Sequence, residues 1–185
     1  MRTSLKPKAY IYPLPVLIIG TYDENKTPNA MNAAWGTVCD TNQVCILVSS
    51  SHKTMKNILL NKSFTVSFAD VNNVIQADFV GIVSGNNDLH KFDKTGWSII
   101  KSEFVDAPII EQLPLTLECK MVSYNYETEM LIGEVINVSV DDNILTDGKI
   151  DLSKFKPLAY DTDNHAYVTL GEKVGSAFKD GVKLK

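Results

Sequence analysis

The chain has 185 residues, of which 44% are apolar and 22% charged, and its formal net charge is −4 at pH 7. This length and apolar content predict a single domain, residues 1–185, with one sizeable core. Nucleic acid is excluded as a partner, because no block of lysine and arginine is present to displace counterions from a phosphate backbone. No apolar run approaches the roughly 20 residues of a membrane-spanning helix, so no membrane partner is expected.

The three cysteines, Cys39, Cys45 and Cys119, form no CxxC pair and are odd in number. They therefore predict no complete disulfide framework, and the simplest interpretation is a reduced, cytoplasmic protein. Cys39 and Cys45 flank a turn between two expected strands. We expect both thiols to be buried and unreactive there.

The first third of the chain predicts strands followed by a helix. Prolines make residues 1–14 an extended lead-in. The β-rich runs 16–22 and 30–38 flank turn residues and predict a hairpin. The apolar run 43–49 has the length of a strand buried on both faces, so three consecutive strands should form a meander. Residues 54–62 then change to helical spacing.

The remainder predicts more strands around a second helix. Residues 71–82 have helical spacing and should pack on the sheet, and a helical turn at 91–96 should be closed by Gly96. The pattern as a whole favours a mainly β fold with a few helices, built as a partly open antiparallel barrel with Greek-key-like connections. The other expected strands are 64–68, 115–124, 130–140 and two short edge strands at 157–160 and 167–170.

A candidate anion site lies where the third strand leads into the first helix. Ser49, Ser50 and Ser51 come just before a first helical turn that carries Lys53 and Thr54. Cations at a helix N-terminus oppose the helix dipole, and a bound phosphate would resolve that conflict through hydroxyl and backbone N–H donors. The alternative is that Ser51 is an ordinary N-cap with Thr54 at position N3. This fragment alone favours neither.

A candidate ring site lies on the preceding segment, Asn32-Ala33-Ala34-Trp35. Two small residues beside a tryptophan let a flat ring approach the backbone, and an asparagine amide both donates and accepts, as the pyrimidine edge of a flavin requires. Taken alone, the segment is better explained as an edge strand with one tryptophan in the core.

Three further residues could contribute to a ligand site. Lys91 follows a Ser84-Gly85 turn and could bring a cation back toward the ligand, although a solvated loop is the ordinary explanation. Tyr160 and Tyr167 fit stacking or lid positions as well as half-buried strand positions. The scattered histidines predict no metal site, and no phosphate-loop, dinucleotide or nucleophile-elbow motif is present.

Together these segments resemble the flavin reductase-like family of FMN-binding split barrels, and in particular its flavoredoxin branch. The resemblance covers most of the chain. It rests on an ordered set of segments: Pro15-Val16, Asn32-Ala33-Ala34-Trp35, Ser49-Ser50-Ser51 before His52-Lys53-Thr54, the strand 64–68, Val83-Ser84-Gly85 before Asp88-Leu89-His90-Lys91-Phe92 and Thr95-Gly96, and finally Pro157-Leu158, Tyr167 and residues 171–178.

The resemblance implies a homodimer with one non-covalent FMN in each subunit, near the interface. By position, Asn32, Ala33, Ala34 and Trp35 would border the isoalloxazine ring. Lys91 would be a secondary polar contact of the cofactor. The residues that would bind the ribityl phosphate are Ser49, Ser50, Ser51, Lys53 and Thr54.

The expected function is that of an FMN-dependent oxidoreductase. It would pass electrons from NAD(P)H through FMN to flavin, ferric or small redox acceptors. The alternative is a non-enzymatic FMN-binding electron carrier between protein partners. No catalytic acid or base is assigned, because hydride transfer does not require one.

Overall fold

A computed structural model describes residues 1–185 and shows a mainly β protein with two α-helices. The helices are α1, Lys53–Asn61, and α2, Val74–Ile82. Single 3₁₀ turns cover Asp93–Thr95, Asp142–Ile144 and Asp180–Leu184. The strands are β1 Leu14–Pro15, β2 Leu17–Tyr22, β3 Pro28–Ala33, β4 Gly36–Asp40, β5 Gln43–Leu47, β6 Ser63–Phe68, β7 Ile99–Lys101, β8 Pro108–Ile110, β9 Leu115–Asn125, β10 Met130–Val140, β11 Leu145–Thr146, β12 Lys149–Ile150, β13 Leu158–Asp161 and β14 Ala166–Thr169.

The main sheet has seven strands in the order β3-β2-β6-β9-β10-β5-β4, and every neighbouring pair is antiparallel. Its edge strands β3 and β4 are joined by only Ala34 and Trp35. In a flat sheet the two edges would lie about 29 Å apart, at about 4.8 Å per strand. The connection from Ala33 to Gly36 reaches at most about 11 Å. The sheet must therefore curl until its edges meet, which confirms the expected antiparallel split barrel.

The expected three-stranded meander was wrong. Residues 30–38 are not one strand, because the chain leaves β3 at Ala33 and joins the opposite edge of the sheet at Gly36. β3 pairs with β2, whereas β4 pairs with β5. The hairpin at 16–33 is therefore real, but the third strand belongs to a second hairpin, formed by β4 and β5. This hairpin lies across the barrel seam, the line along which the sheet edges β3 and β4 meet.

The second hairpin is also more exposed than its sequence suggested. In β5 only Ile46 is fully buried, so the expectation of burial on both faces was wrong. Cys39 on β4 is exposed and Cys45 on β5 is half-buried, which corrects the expectation for these thiols; Cys119 is buried. Cys39 is exposed because β4 is an edge strand and presents one face to solvent, whereas Cys45 lies on β5, between β4 and β10.

The two helices cover opposite faces of the curled sheet. α1 places Met55 and Ile58 in one core cluster with Ile19 and Phe64, and it ends at Lys62 in a left-handed conformation. α2 places Ala77 and Val80 in the second cluster, with Ile18. Neighbouring residues of β2 thus serve different clusters, as strand alternation requires. The N-terminus of α1 and the C-terminus of α2 both approach the edge strand β3, and the candidate site lies there.

Candidate functional site

A cavity of about 400 Å³ lies at the corner where β3 crosses to β4, and we call it the corner cavity. Its floor is the segment 31–35, which contains all four residues predicted to border a flavin ring. Leu47 and His52 line another side. The remaining walls come from α2, with Asp78, Gly81 and Ile82, and from the β13–β14 hairpin, with Tyr160, His165 and Tyr167.

A second cavity of about 170 Å³ continues from the first, and we call it the helix pocket. It is lined by the start of α1, including Lys53 and Thr54, by residues 80–85 and by Lys91. Both cavities share Met31, Asn32, His52, Gly81 and Ile82. They therefore form one groove, with an apolar end at the barrel corner and a polar end at a helix N-terminus.

The N-terminus of α1 is open toward this groove. Its N-cap residue is His52, and no side chain caps the first-turn N–H groups. The explanation of Ser51 as an ordinary N-cap was therefore wrong. Unsatisfied N–H groups and the positive end of the helix dipole make such a terminus a ready anion site.

Thr54 supplies a buried hydroxyl in the first turn of α1. Its side chain is only 2% exposed, and Oγ1 accepts a hydrogen bond from Asn29 Nδ2 at 2.9 Å. The hydroxyl hydrogen remains available for an acceptor in the helix pocket. Close packing holds this corner, because a Cβ on Gly85 would lie 2.5 Å from Asn29 Oδ1 and 3.3 Å from Lys53 Cβ.

Lys53 is turned toward the loop between β2 and β3. Its Nζ lies 3.5 Å from Glu24 Oε2 and 3.8 Å from Asp23 Oδ2. Burial would raise the pKa of Asp23, but the backbone N–H donors of Thr27 and Asn25, together with the Lys53 ammonium, lower it overall. Lys53 lines the groove while its charge is shared with these carboxylates.

The serine run lies outside the groove. Ser49 Oγ donates to Glu129 Oε1 at 2.7 Å, and the Ser50 N–H donates to the same oxygen at 3.3 Å. Neither serine, nor Ser51, lines the corner cavity or the helix pocket. The structure does not bring the three serines together with Lys53 and Thr54, and their contact with a phosphate stays a prediction.

Lys91 lines the helix pocket, but its ammonium group already has partners. Nζ donates to the carbonyl oxygens of Val80 at 2.9 Å and Val83 at 2.8 Å, at the C-terminal end of α2. The side chain is buried, and burial lowers the pKa of Lys91 to about 8. Lys91 therefore holds the end of α2 against the groove and places a positive charge beside the helix pocket.

The β13–β14 hairpin contributes three side chains to the corner cavity, those of Tyr160, His165 and Tyr167. Tyr167 Oη donates to Asp78 Oδ1 at 2.8 Å, and burial together with this hydrogen bond raises the pKa of Tyr167 to about 12. Tyr160 Oη lies 3.0 Å from His165 Nδ1. The sequence analysis noted that Tyr160 and Tyr167 fit stacking or lid positions, and both line the corner cavity, whereas no sequence signal indicated Asp78 or His165.

Asn32 is fixed at the edge of the corner cavity. Its Nδ2 donates to the carbonyl oxygen of Ala77 at 2.9 Å, while its amide oxygen accepts no hydrogen bond from the protein. Gly81 allows this contact, because a Cβ there would lie 3.0 Å from Asn32 Cβ. The amide is therefore held by α2 with an acceptor left over for a ligand.

The groove fits an elongated ligand with a flat ring and an anionic end. The apolar end is bordered by small residues and an aromatic ring, and the polar end has an open helix N-terminus, a hydroxyl and two ammonium groups. A flavin mononucleotide has this shape and charge. No cluster of three or more metal-ligating side chains is present, and neither helix has the length and apolarity to cross a membrane.

Two flavoredoxins are among the solved structures that are similar to this chain. The chain is 33% identical to flavoredoxin of Desulfovibrio vulgaris (Miyazaki F), with a TM-score of 0.93, covering 98% of this chain and 100% of that one. It is 30% identical to flavoredoxin from Methanosarcina acetivorans, with a TM-score of 0.89 and full coverage of both, 100% and 100%. An FMN-binding domain of a flavin reductase-like enzyme from Shewanella baltica shares the fold, at 19% identity, a TM-score of 0.80 and 88% coverage of each chain.

Sequence comparison agrees with these structural matches. An uncharacterized protein of Aquifex aeolicus (strain VF5) is 23% identical over 158 residues, covering 80% of both chains. Residues 9–169 match the family model described as the flavin reductase like domain. The chain therefore belongs to the flavin reductase-like family, a family of flavin-binding split barrels.

Proposed function

We propose that this protein binds one FMN non-covalently in the groove and acts as an oxidoreductase. In this proposal NAD(P)H supplies the electrons, and flavin, ferric complexes or small redox molecules accept them. The observation that carries the proposal is the continuity of the groove, since its flat apolar end and its open helix N-terminus match the two ends of one flavin nucleotide.

At the polar end, the residues present fit a phosphate. The N–H groups of the first turn of α1 and the Thr54 hydroxyl would donate to its oxygens. Lys53 would divide its charge between the phosphate and the carboxylates of Asp23 and Glu24. Lys91 would contribute mainly through its field, because both of its observed partners are carbonyl oxygens of α2.

At the apolar end, Ala33 and Ala34 leave room for the flat ring beside the backbone, and Trp35 and Leu47 shield it. The free amide oxygen of Asn32 would accept a hydrogen bond from the ring edge and orient it. Bound FMN supplies two-electron and one-electron transfer when it is present. The protein binds and orients it, and Tyr160 and Tyr167 limit water access.

We also propose that the protein is a homodimer and is cytoplasmic. Trp35 is 56% exposed and Ile82 is 73% exposed, and both line the mouth of the corner cavity. Exposed apolar groups at a ligand site support coverage by a second subunit. The three free cysteines fit a reducing compartment. Sedimentation of wild type and Ile82→Asp tests the dimer, which the charge at position 82 should weaken.

A second candidate function is electron carriage between protein partners without turnover of a nicotinamide. The observation that favours it is the likeness to two flavoredoxins at 33% and 30% identity. The two candidates differ in one property, the ability of NADH or NADPH to reduce the bound flavin directly.

Two measurements test the proposal. Titration of FMN with the purified protein should quench the flavin fluorescence at one equivalent per chain. Anaerobic addition of NADH or NADPH should then bleach the flavin absorbance. Quenching without bleaching would reject the reductase and favour the electron carrier. Flavin fluorescence that the protein leaves unchanged would reject FMN binding altogether.

A further inference from the structure

A third cavity lies outside the flavin groove. It has a volume of about 1120 Å³ and lies open to solvent between residues 146–156 and residues 169–175. We call it the tail groove. Its volume slightly exceeds the range of about 300–1,000 Å³ that is typical of small-molecule sites, and the proposed FMN contacts do not involve it.

Three lysines from separate segments converge on the tail groove. Lys149 is on β12, Lys156 precedes β13, and Lys173 follows β14. None of the three ammonium groups is in an ion pair. Lys154, in the same loop, instead donates to the carbonyl oxygen of Leu145 and does not line the cavity. In a chain of net charge −4, three unpaired ammonium groups that line one cavity are available to an anionic ligand.

Two carboxylates also line the tail groove. Asp151 is engaged by its own loop, since its carboxylate accepts hydrogen bonds from the Thr146 hydroxyl at 2.7 Å and the Ser153 hydroxyl at 2.6 Å. These donors help to lower the pKa of Asp151 to about 2. Glu172 is exposed and adjacent to Lys173. The lining therefore carries three cations and two anions, a net charge of +1. Of the two anions, Asp151 already has hydrogen-bond donors in its own loop.

The corner cavity and the tail groove share no lining residue, but the same strand, β14, contributes to both. Tyr167 lines the corner cavity and Thr169 lines the tail groove, and both are on β14. Residues two apart on a strand share a face and lie about 7 Å apart. An elongated ligand whose redox-active end is in the corner cavity can therefore extend along β14 into the tail groove.

We propose that the tail groove binds the 2′-phosphate end of NADPH and gives the protein a preference for NADPH over NADH. This inference rests on the proposed function, since it assumes that a nicotinamide nucleotide is the electron donor. A doubly charged phosphate monoester would be bound by Lys149, Lys156 and Lys173 through charge-assisted hydrogen bonds. The concave shape favours a small ligand, whereas an acidic protein partner would need the cations on an exposed convex surface.

The decisive experiment compares two ligands that differ by one phosphate. Calorimetric titration of the full chain with 2′,5′-ADP and with 5′-AMP requires no flavin turnover. We expect 2′,5′-ADP to bind at least about tenfold more tightly, with an affinity that falls as salt rises. Equal affinities for the two ligands would overturn the proposal.

A triple variant, Lys149→Gln, Lys156→Gln and Lys173→Gln, locates the site. It should lose the advantage of 2′,5′-ADP over 5′-AMP and raise the KM for NADPH about tenfold or more, while the KM for NADH stays unchanged. The matched control is Lys62→Gln, Lys101→Gln and Lys120→Gln, which removes three lysines that do not line the tail groove. A variant that keeps the phosphate advantage, or a control that loses it, would reject the assignment.

The two proposals fail in different ways. If NADH reduces the flavin as well as NADPH does, the reductase remains and the tail-groove proposal is wrong. If neither nucleotide reduces the flavin, the proposed function and the NADPH assignment both fail. An acidic redox protein that binds wild type and not the triple variant, with no 2′,5′-ADP binding, would also reject the NADPH assignment.

Discussion

Tyr167 Oη lies 2.8 Å from Asp78 Oδ1, and this hydrogen bond ties the β13–β14 hairpin to α2 across the corner cavity. The phenol ring also packs on Tyr160 with centroids 6.0 Å apart. The wall of the proposed ring site is therefore held by polar contacts between elements that are distant in sequence, of which the bond to Asp78 is shorter than the 3.5 Å contact of Tyr167 Oη with Asn32 Nδ2.

Loss of that contact should loosen the wall without unfolding the barrel. We expect Tyr167→Phe to lower the free energy of unfolding by about 1 kcal/mol, because Asp78 is exposed and water replaces part of the interaction. The folded pKa of about 12 exceeds the ordinary value of 10. The stabilisation by Tyr167 is therefore complete below pH 10 and is lost between pH 10 and 12. Chemical denaturation of both proteins across this range checks the sign, and Tyr126→Phe, at an exposed position, is the control.

Lys91 should give the opposite pH dependence. In the folded protein the pKa of Lys91 is about 8, below the ordinary value of 10.5. The folded state therefore loses this proton at a lower pH than the unfolded state does. The charged Lys91 lowers the free energy of unfolding by its full amount below pH 8, and this destabilisation disappears as the pH rises toward 10.5. The unfolding free energy of the flavin-free wild type should therefore rise relative to that of Lys91→Met between pH 8 and 10. Parallel profiles for the two proteins would contradict the burial of this charge.

The phosphate end of the groove can be tested by removing its side chains. The double variant Lys53→Ala, Thr54→Ala should bind FMN about ten- to a hundredfold more weakly, since each charge-assisted contact contributes about 1.5–3 kcal/mol and Lys53 is partly neutralised by Asp23 and Glu24. Fluorescence quenching measures the change. Lys120→Ala, on β9, should bind like wild type. Unchanged affinity in the double variant would remove the phosphate from this helix.

Gly133 should be essential for the packing of the barrel interior. A Cβ at this position on β10 would lie 2.3 Å from Phe64 Cζ, in the middle of a buried cluster. Gly133→Ala should therefore destabilise the protein by about 1–3 kcal/mol, the usual effect of overpacking. Gly171→Ala is the control, because a Cβ there meets no atom within 4 Å. Thermal unfolding with equal losses in both variants would argue against the clash.

Local patterns in the sequence were sufficient to predict the helix α1, most of the long strands and the collection of polar groups before Lys53. Periodicity reports which face of a segment is buried, and this information is local. It could not reveal that the chain changes partner at Ala34-Trp35, because an apolar pattern continues through the barrel seam. α2 starts later than predicted because Asp70 accepts hydrogen bonds from Asn72 and Asn73 and holds a turn there.

The site was harder to predict because its members come from distant parts of the chain. Met130 pairs with Leu47, and this register brings Glu129 beside Ser49 and Ser50. Nothing near the serines in sequence indicates that a carboxylate will occupy them. The same holds for Tyr167 and Asp78, whose contact depends on packing between a strand near the end of the chain and a helix near its middle.

The two-residue link Ala34-Trp35 also has a consequence for the order of folding. The segments on either side are adjacent in sequence, yet they belong to opposite edges of the sheet, and β4 joins the sheet only through β5, which pairs with β10, a strand far along the chain. Contacts of this kind carry a high loop-closure entropy and form late. We therefore expect the floor of the corner cavity to be completed in one of the last steps of folding, so that acquisition of flavin fluorescence quenching during refolding would follow the recovery of most of the sheet.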